Sequence, residues 1–173
     1  MTSALEDRVG RVARPLERDT DLDVLLDRIG DARVVMLGEA SHGTSEYYTW
    51  RDRISRRLIA EKGFSFIAVE GDWPDCYRVN RFVKLLDKRD ADARDVLHAF
   101  ERWPTWMWAN EEVVALITWL RDHNEALPHE KRVGFHGLDV YSLWDSMHRV
   151  LEYPADSGRL MHRTILAGEE PLQ

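Results

Sequence analysis

Cysteine is nearly absent. Cys76 stands alone among 173 residues, so no internal disulfide can form and the chain suits a reducing compartment. Basic residues are in deficit, with 24 Lys plus Arg against 31 Asp plus Glu and a net charge of −7 at pH 7. That balance speaks against nucleic acid as the main partner, because phosphate binding needs a basic footprint. No apolar run approaches the roughly 18 residues that suggest a membrane span. Met1 to Pro15 is charged throughout and lacks the apolar core of a secretory signal. The chain also lacks CxxC, HExxH, a P-loop and a GxGxxG after any predicted strand. Ser41 sits in Glu-Ala-Ser-His-Gly, which is not a GxSxG nucleophile elbow. The expectation is a soluble, globular, cytoplasmic protein with no nucleic-acid or membrane partner, no implied cofactor and no metal. Its partner would be a small molecule.

Three short apolar runs are present. Arg33 to Leu37, Phe64 to Val69 and Arg132 to Leu138 carry β-branched residues and are too short for helices, so each predicts a buried strand. Between them the spacing turns helical. Ser45 to Glu61 puts Tyr47, Trp50, Ile54 and Leu58 on one stripe, and Gly63 follows as a helix-ending glycine. A second helix opens at Asp72-Trp73-Pro74-Asp75, a cap followed by an early proline, and carries Cys76, Val79, Val83 and Leu86. Ala91 to Phe100 predicts a third. Asn110 to Asn124 predicts another, with Val113, Leu116, Ile117 and Leu120 at helical intervals, and Tyr141 to Tyr153 a last one. Strands alternating with helices imply an α/β fold of three layers, with a mostly parallel sheet flanked by helices. Three strands make that sheet thin, and the fold reads as incomplete. The domain is expected over 1–153, with 154–173 a polar, divergent tail.

In an open parallel sheet, ligands bind beyond the carboxyl ends of the strands. Each predicted strand delivers an acid there: Glu39 after the first, Glu70 and Asp72 after the second, Asp139 at the end of the third. The first adds His42 between glycine-rich neighbours, and His136 lies within the third. Asp72 and Asp139 also suit helix caps, and His136 also suits a satisfied core histidine. His42 precedes a helix whose positive end favours a neutral imidazole, while nearby carboxylates act the other way. Arg51 falls among Tyr47, Ile54 and Leu58 on the apolar stripe, so it needs a carboxylate or an anionic ligand. Glu39 and Glu70 are the natural partners; a snorkelling arginine at the stripe's margin is the plainer reading. Trp103, Trp106 and Trp108, with Pro104 and Met107, read as core packing or as a wall for a bulky apolar substrate.

Leu37-Gly-Glu-Ala-Ser-His-Gly-Thr-Ser-Glu46, Arg51 and Val69-Glu-Gly-Asp-Trp-Pro-Asp75 together resemble the erythromycin esterase family. Pro104-Thr-Trp-Met-Trp108 and Gly137-Leu-Asp-Val-Tyr-Ser142 are similar to further segments of it, and the likeness runs from about Asp21 to Leu151. The resemblance implies hydrolysis of a carboxylic ester such as a macrolide lactone, and hence antibiotic resistance, with a histidine activating water. Carried over position by position, His42 matches the general base, and Glu39, Arg51 and Glu70 match the charged groups around it. Trp106, Trp108, Asp72 and His136 are expected on the substrate side. Members of the family are much longer and carry a second active-site histidine in their distal half. The chain is therefore expected to be an N-terminal part, marginal in stability and prone to self-association. Two other readings stand beside the esterase: a non-catalytic remnant that binds a small molecule, and a metal-dependent hydrolase using Glu39, His42, Glu70, His136 and Asp139.

Overall fold

The computed structural model describes residues 4–86, 92–98, 100, 104–139, 143–144 and 147–148. Among them lie helices α1 (Ala4–Gly10), α2 (Asp23–Ile29) and α3 (Ser45–Lys62), strand β1 (Phe66–Asp72), helices α4 (Trp73–Val83), α5 (Ala93–Leu97) and α6 (Glu111–Glu125), and strand β2 (Gly134–Asp139). The chain divides into two compact units, Met1–Phe64 and Ser65–Gln173.

In the first unit, Leu22, Leu26, Ile54 and Leu58 form a buried core, with Ile29, Val35, Leu37, Trp50 and Phe64 packed against it. Removing such apolar surface from water is the main stabilising contribution. The helix α3 begins where its spacing predicts and runs one residue further, to Lys62. Gly63 ends it in the left-handed region at φ 72°, where a Cβ would be strained. The Phe64 amide then returns to the Leu58 carbonyl at 3.2 Å, satisfying one of the last orphan acceptors. Tyr48, rather than Tyr47, is the buried tyrosine: Tyr47 stays 38% exposed.

The expected strand at Arg33–Leu37 is corrected. Among the described residues it joins no ladder, although its side chains alternate as a strand's do. Val35 and Leu37 face the core, while Val34 and Met36 are 75% and 91% exposed. Alternation reports only which side meets the core. Pairing needs a second backbone in register, which a local pattern does not specify.

The second unit holds the sheet. The strands β1 and β2 pair in parallel, with Phe66 opposite Gly134, Ile67 opposite Phe135, Ala68 opposite His136 and Val69 opposite Gly137. An irregularity between Val69 and Asp72 then brings Asp72 opposite Asp139. The expected three-layer sheet holds in its coarser form, a parallel pair flanked by helices. Two glycines make the irregular end possible. A Cβ on Gly137 would lie 2.3 Å from the Gly71 carbonyl oxygen, and one on Gly71 would lie 2.9 Å from Cys76 Sγ.

Asparagines bind the helices to the sheet. Asn80 of α4 accepts the Phe135 amide at 3.0 Å through Oδ1. At the C-terminus of α4, three carbonyls find side-chain donors: Arg121 to Phe82, Asn124 to Val83 and Arg132 to Lys84. They supply hydrogen bonds that a helix end lacks within itself. Leu86 lies beyond α4. The helix expected over Ala91 to Phe100 is shorter, capped by the Asp92 carboxylate on the amides of Arg94 and Asp95. The helix α6 begins as expected, with Asn110 accepting the Val113 amide. The helix expected over Tyr141 to Tyr153 lies largely outside the described residues, and the tail 154–173 entirely.

Candidate active site

In the first unit, the loop between Leu37 and α3 carries the charged cluster. Glu39 is the pivot. One carboxylate oxygen, Oε1, lies 2.5 Å from His42 Nδ1, and the other, Oε2, lies 2.7 Å from Arg51 Nη2. Glu39 is 12% exposed and Arg51 22%, whereas the His42 side chain stands 46% open to solvent. The expectation that Arg51 needs a carboxylate is met by Glu39. Its guanidinium also lies 4.6 Å from the centre of the Tyr48 ring, an aromatic face that favours a cation. Ser41 spends its hydroxyl locally, 2.6 Å from Thr44 Oγ1, at the turn that leads into α3.

Chemically, the arrangement orients an imidazole. A carboxylate at Nδ1 favours the tautomer with its proton there and leaves Nε2 with a lone pair. The same carboxylate can stabilise an imidazolium once Nε2 takes a proton. Arg51 offsets the cost of keeping that carboxylate charged while mostly shielded from water.

The other sequence-identified residues lie in the second unit, Glu70, Asp72 and Asp139 toward the carboxyl ends of its strands and His136 within β2, opposite Ala68. Glu70 is exposed and Asp72 is buried, the latter at the N-cap position of α4. Trp106 is 45% exposed. Trp108 is 9% exposed, donates its indole N–H to the Glu70 carbonyl at 2.7 Å, and stands edge-on to Phe135. That bond ties the segment before α6 to the end of β1. Trp103 lies outside the described residues. His136 is half-buried on β2, edge-on to Phe66 with ring centres 5.8 Å apart. Burial, and next the Lys84 cation, push its pKa below the ordinary imidazole value. Cys76 is buried, and loss of water pushes its thiol up to about 12, aided by the charges of Asp75, Asp72 and Asp139. Such a thiol stays protonated and unreactive near neutral pH. Among the described residues no group of His, Cys, Asp and Glu side chains converges as a metal centre would require.

Two features went unread in the sequence. Asn80 and Asn124 are buried polar anchors. Trp73 and Tyr77 form an exposed stacked pair on α4. Each had a signal: Asn124 continues the stripe of Val113, Ile117 and Leu120, and Trp73 and Tyr77 are spaced by four.

Comparison with known proteins gives a consistent result. The family model described as erythromycin esterase matches residues 59–164. Erythromycin esterase type II of Escherichia coli is 28% identical over 130 residues, covering 75% of this chain and 29% of that protein. YbfO of Bacillus subtilis (strain 168), which carries a hydrolase name, is 26% identical over 121 residues, covering 68% of this chain and 25% of its own. The chain thus spans under a third of the length of these curated relatives. Among solved structures, a Bacillus cereus protein matches with a TM-score of 0.68 at 27% identity, over 91% of this chain and 38% of that one. A succinoglycan biosynthesis protein matches with a TM-score of 0.63, also at 27% identity, over 81% and 36%.

Proposed function

The chain belongs to the erythromycin esterase family, and from that premise we propose that it is a hydrolase of carboxylic esters, with His42 as general base. The observation that carries this reading is the Glu39 carboxylate held between His42 and Arg51. In the proposed reaction His42 Nε2 takes a proton from water as the water oxygen attacks the ester carbonyl carbon. The imidazolium formed is balanced by Glu39. The tetrahedral intermediate then collapses, the bond to the alcohol oxygen breaks, and the imidazolium returns its proton to that oxygen, leaving acid and alcohol. The developing oxyanion needs N–H donors, a chemistry that backbone amides at a helix N-terminus or a guanidinium group supply.

Within this proposal the substrate is a cyclic ester such as a macrolide lactone, in line with the name of the Escherichia coli relative. Glu70, which the family resemblance matches to the charged groups around the base, is tested separately by Glu70→Gln.

The decisive variant is His42→Ala, assayed on a p-nitrophenyl ester and on a macrolactone. Because His42 is exposed, the change should leave the melting temperature nearly unaltered while abolishing hydrolysis. Hydrolysis at the parent rate would overturn the reading.

A further inference from the structure

The guanidinium of Arg51 meets two surfaces at once. Its Nη2 lies 2.7 Å from Glu39 Oε2, and its central carbon lies 4.6 Å from the centre of the Tyr48 ring. Tyr48 and Arg51 are three residues apart on α3, a spacing that puts two side chains on one helix face. Helical side chains lean toward the N-terminus, so Arg51 reaches back past Tyr48 toward the loop that precedes the helix. That loop holds Glu39, and Glu39 holds His42 through its other oxygen. Tyr48 is 6% exposed, whereas Arg51, Glu39 and His42 are all more open to water. The ring is the buried end of a linked series, Tyr48, Arg51, Glu39 and His42, whose open end is an imidazole.

We propose that Tyr48 is a positioning residue of this site. Its ring face anchors Arg51, Arg51 fixes the Glu39 carboxylate, and the carboxylate keeps the His42 proton on Nδ1, so that Nε2 stays free to accept one. The catalytic meaning of this series rests on the hydrolase reading; the tautomer does not. An ion pair partly open to water gains little by itself, because it must hold a long side chain of many rotamers in one geometry. A ring face supplies a second hold on the cation without adding charge. A carboxylate in the place of Tyr48 would compete with Glu39 for the guanidinium and release Oε2. Helix α3 contains its own comparison. Arg53 stands 4.8 Å from the centre of the Trp50 ring, again three residues back, and pairs with Asp19 at 3.5 Å. The same contact there leads to an exposed carboxylate rather than to the one that bears His42.

The neutral tautomer of His42 is read in the full chain from its ring nitrogen-15 shifts at alkaline pH, its signals identified by their loss in His42→Ala. Hydrolysis of a p-nitrophenyl ester is followed in parallel. The parent should carry its proton on Nδ1. Tyr48→Leu should move population to the Nε2–H tautomer and lower kcat about fivefold, the order of one cation–π contact, with KM little changed. Tyr48→Phe, which gives the ring back, should recover both. Arg53→Met, which breaks the comparison pair, should move neither. In an Arg51→Met background Tyr48→Leu should add little, because the link is already cut. Should Tyr48→Leu fail to fold, pentafluorophenylalanine at position 48 keeps the outline of the ring, reverses the charge on its face, and should act as Leu does. An Nε2–H tautomer in the parent overturns the proposal. So does a tautomer indifferent to Tyr48→Leu or to the fluorinated ring, or an undiminished effect of Tyr48→Leu in the Arg51→Met background. The tautomer needs no turnover, so it decides even where no ester is hydrolysed. If it follows Tyr48 while His42→Ala still hydrolyses the ester, the hydrolase reading falls and the positioning series stands.

Discussion

Asn124 and Val133 clasp each other through two hydrogen bonds. Asn124 Oδ1 accepts the Val133 amide at 2.8 Å, and Asn124 Nδ2 donates to the Val133 carbonyl at 2.9 Å. The second proton on Nδ2 goes to the Val83 carbonyl, also at 2.9 Å, so one side chain with no exposed surface joins α6, the end of α4 and the approach to β2.

Asn124→Leu keeps the number and branching of the side-chain heavy atoms and removes all of these bonds, leaving a buried amide and two carbonyls to be satisfied elsewhere. Each such group costs about 1–3 kcal/mol, so the variant should lose about 3 kcal/mol or more. A urea midpoint shift at constant slope reads this directly. A loss below about 0.5 kcal/mol, the scale of an ordinary surface change, would show that the clasp is dispensable.

Gly137→Ala tests the close approach of the strands. The new Cβ would sit 2.3 Å from the Gly71 carbonyl oxygen and 2.9 Å from that of Asp72. Both are backbone atoms and cannot rotate aside, so the carboxyl ends of β1 and β2 must separate. We expect a cost of about 3 kcal/mol, at the upper end of ordinary overpacking. Gly10→Ala, where nothing lies within 4 Å, serves as the neutral control in the same thermal melts.

What the sequence disclosed follows from which forces are local. The helix α3 was legible to its last turn because its apolar spacing and Gly63 are adjacent in the chain. Arg51 was legible too, since a cation on an apolar stripe demands a partner, and Glu39 supplies it. The pairing of Arg33–Leu37 was not, because its alternation describes a side-chain environment and carries no information about a distant backbone. Tyr47 and Tyr48 differ by about 100° on the helix, a margin that apolar spacing alone resolves poorly. The roles of Asn80 and Asn124 depend on carbonyls and amides tens of residues away, such as Phe135 for Asn80. Only their place on otherwise apolar stripes hinted at them.

His136 gives a pH prediction with a definite sign. Burial, then Lys84, hold its folded pKa below the ordinary value of 6.5. Below that value the unfolded chain binds a proton that the folded chain resists. Stability is therefore fully present above pH 6.5, declines as pH falls through the window down to the lowered pKa, and is flat with respect to this group below it. His136→Gln should remove that slope. Denaturant midpoints of parent and variant, compared between pH 5 and 7.5, should converge toward the acid end. A difference independent of pH would show that His136 does not titrate as its surroundings dictate.

Glu39→Gln is the sharpest test of the charged cluster, because it preserves shape and removes only charge. The amide can still accept from His42 Nδ1–H through its oxygen, so the ring can keep its place. It can no longer balance an imidazolium, and it turns an N–H group either toward Arg51 or toward His42. If His42 acts as general base, the loss falls on the step in which Nε2 becomes protonated. We therefore expect kcat for ester hydrolysis to fall by about 10²–10⁴-fold, the usual worth of acid–base assistance, with KM little changed. The fold should suffer modestly, since the Arg51 guanidinium loses its carboxylate at a site where Glu39 is only 12% exposed. Arg51→Met separates the two effects. It leaves the Glu39 carboxylate beside His42 but without its cation, so the larger loss there should appear in the melting temperature. An equal fall in kcat for both variants at equal stability would assign the chemistry to Arg51 as much as to Glu39. A Glu39→Gln variant that hydrolyses esters at the parent rate would show that the carboxylate only positions the loop before α3.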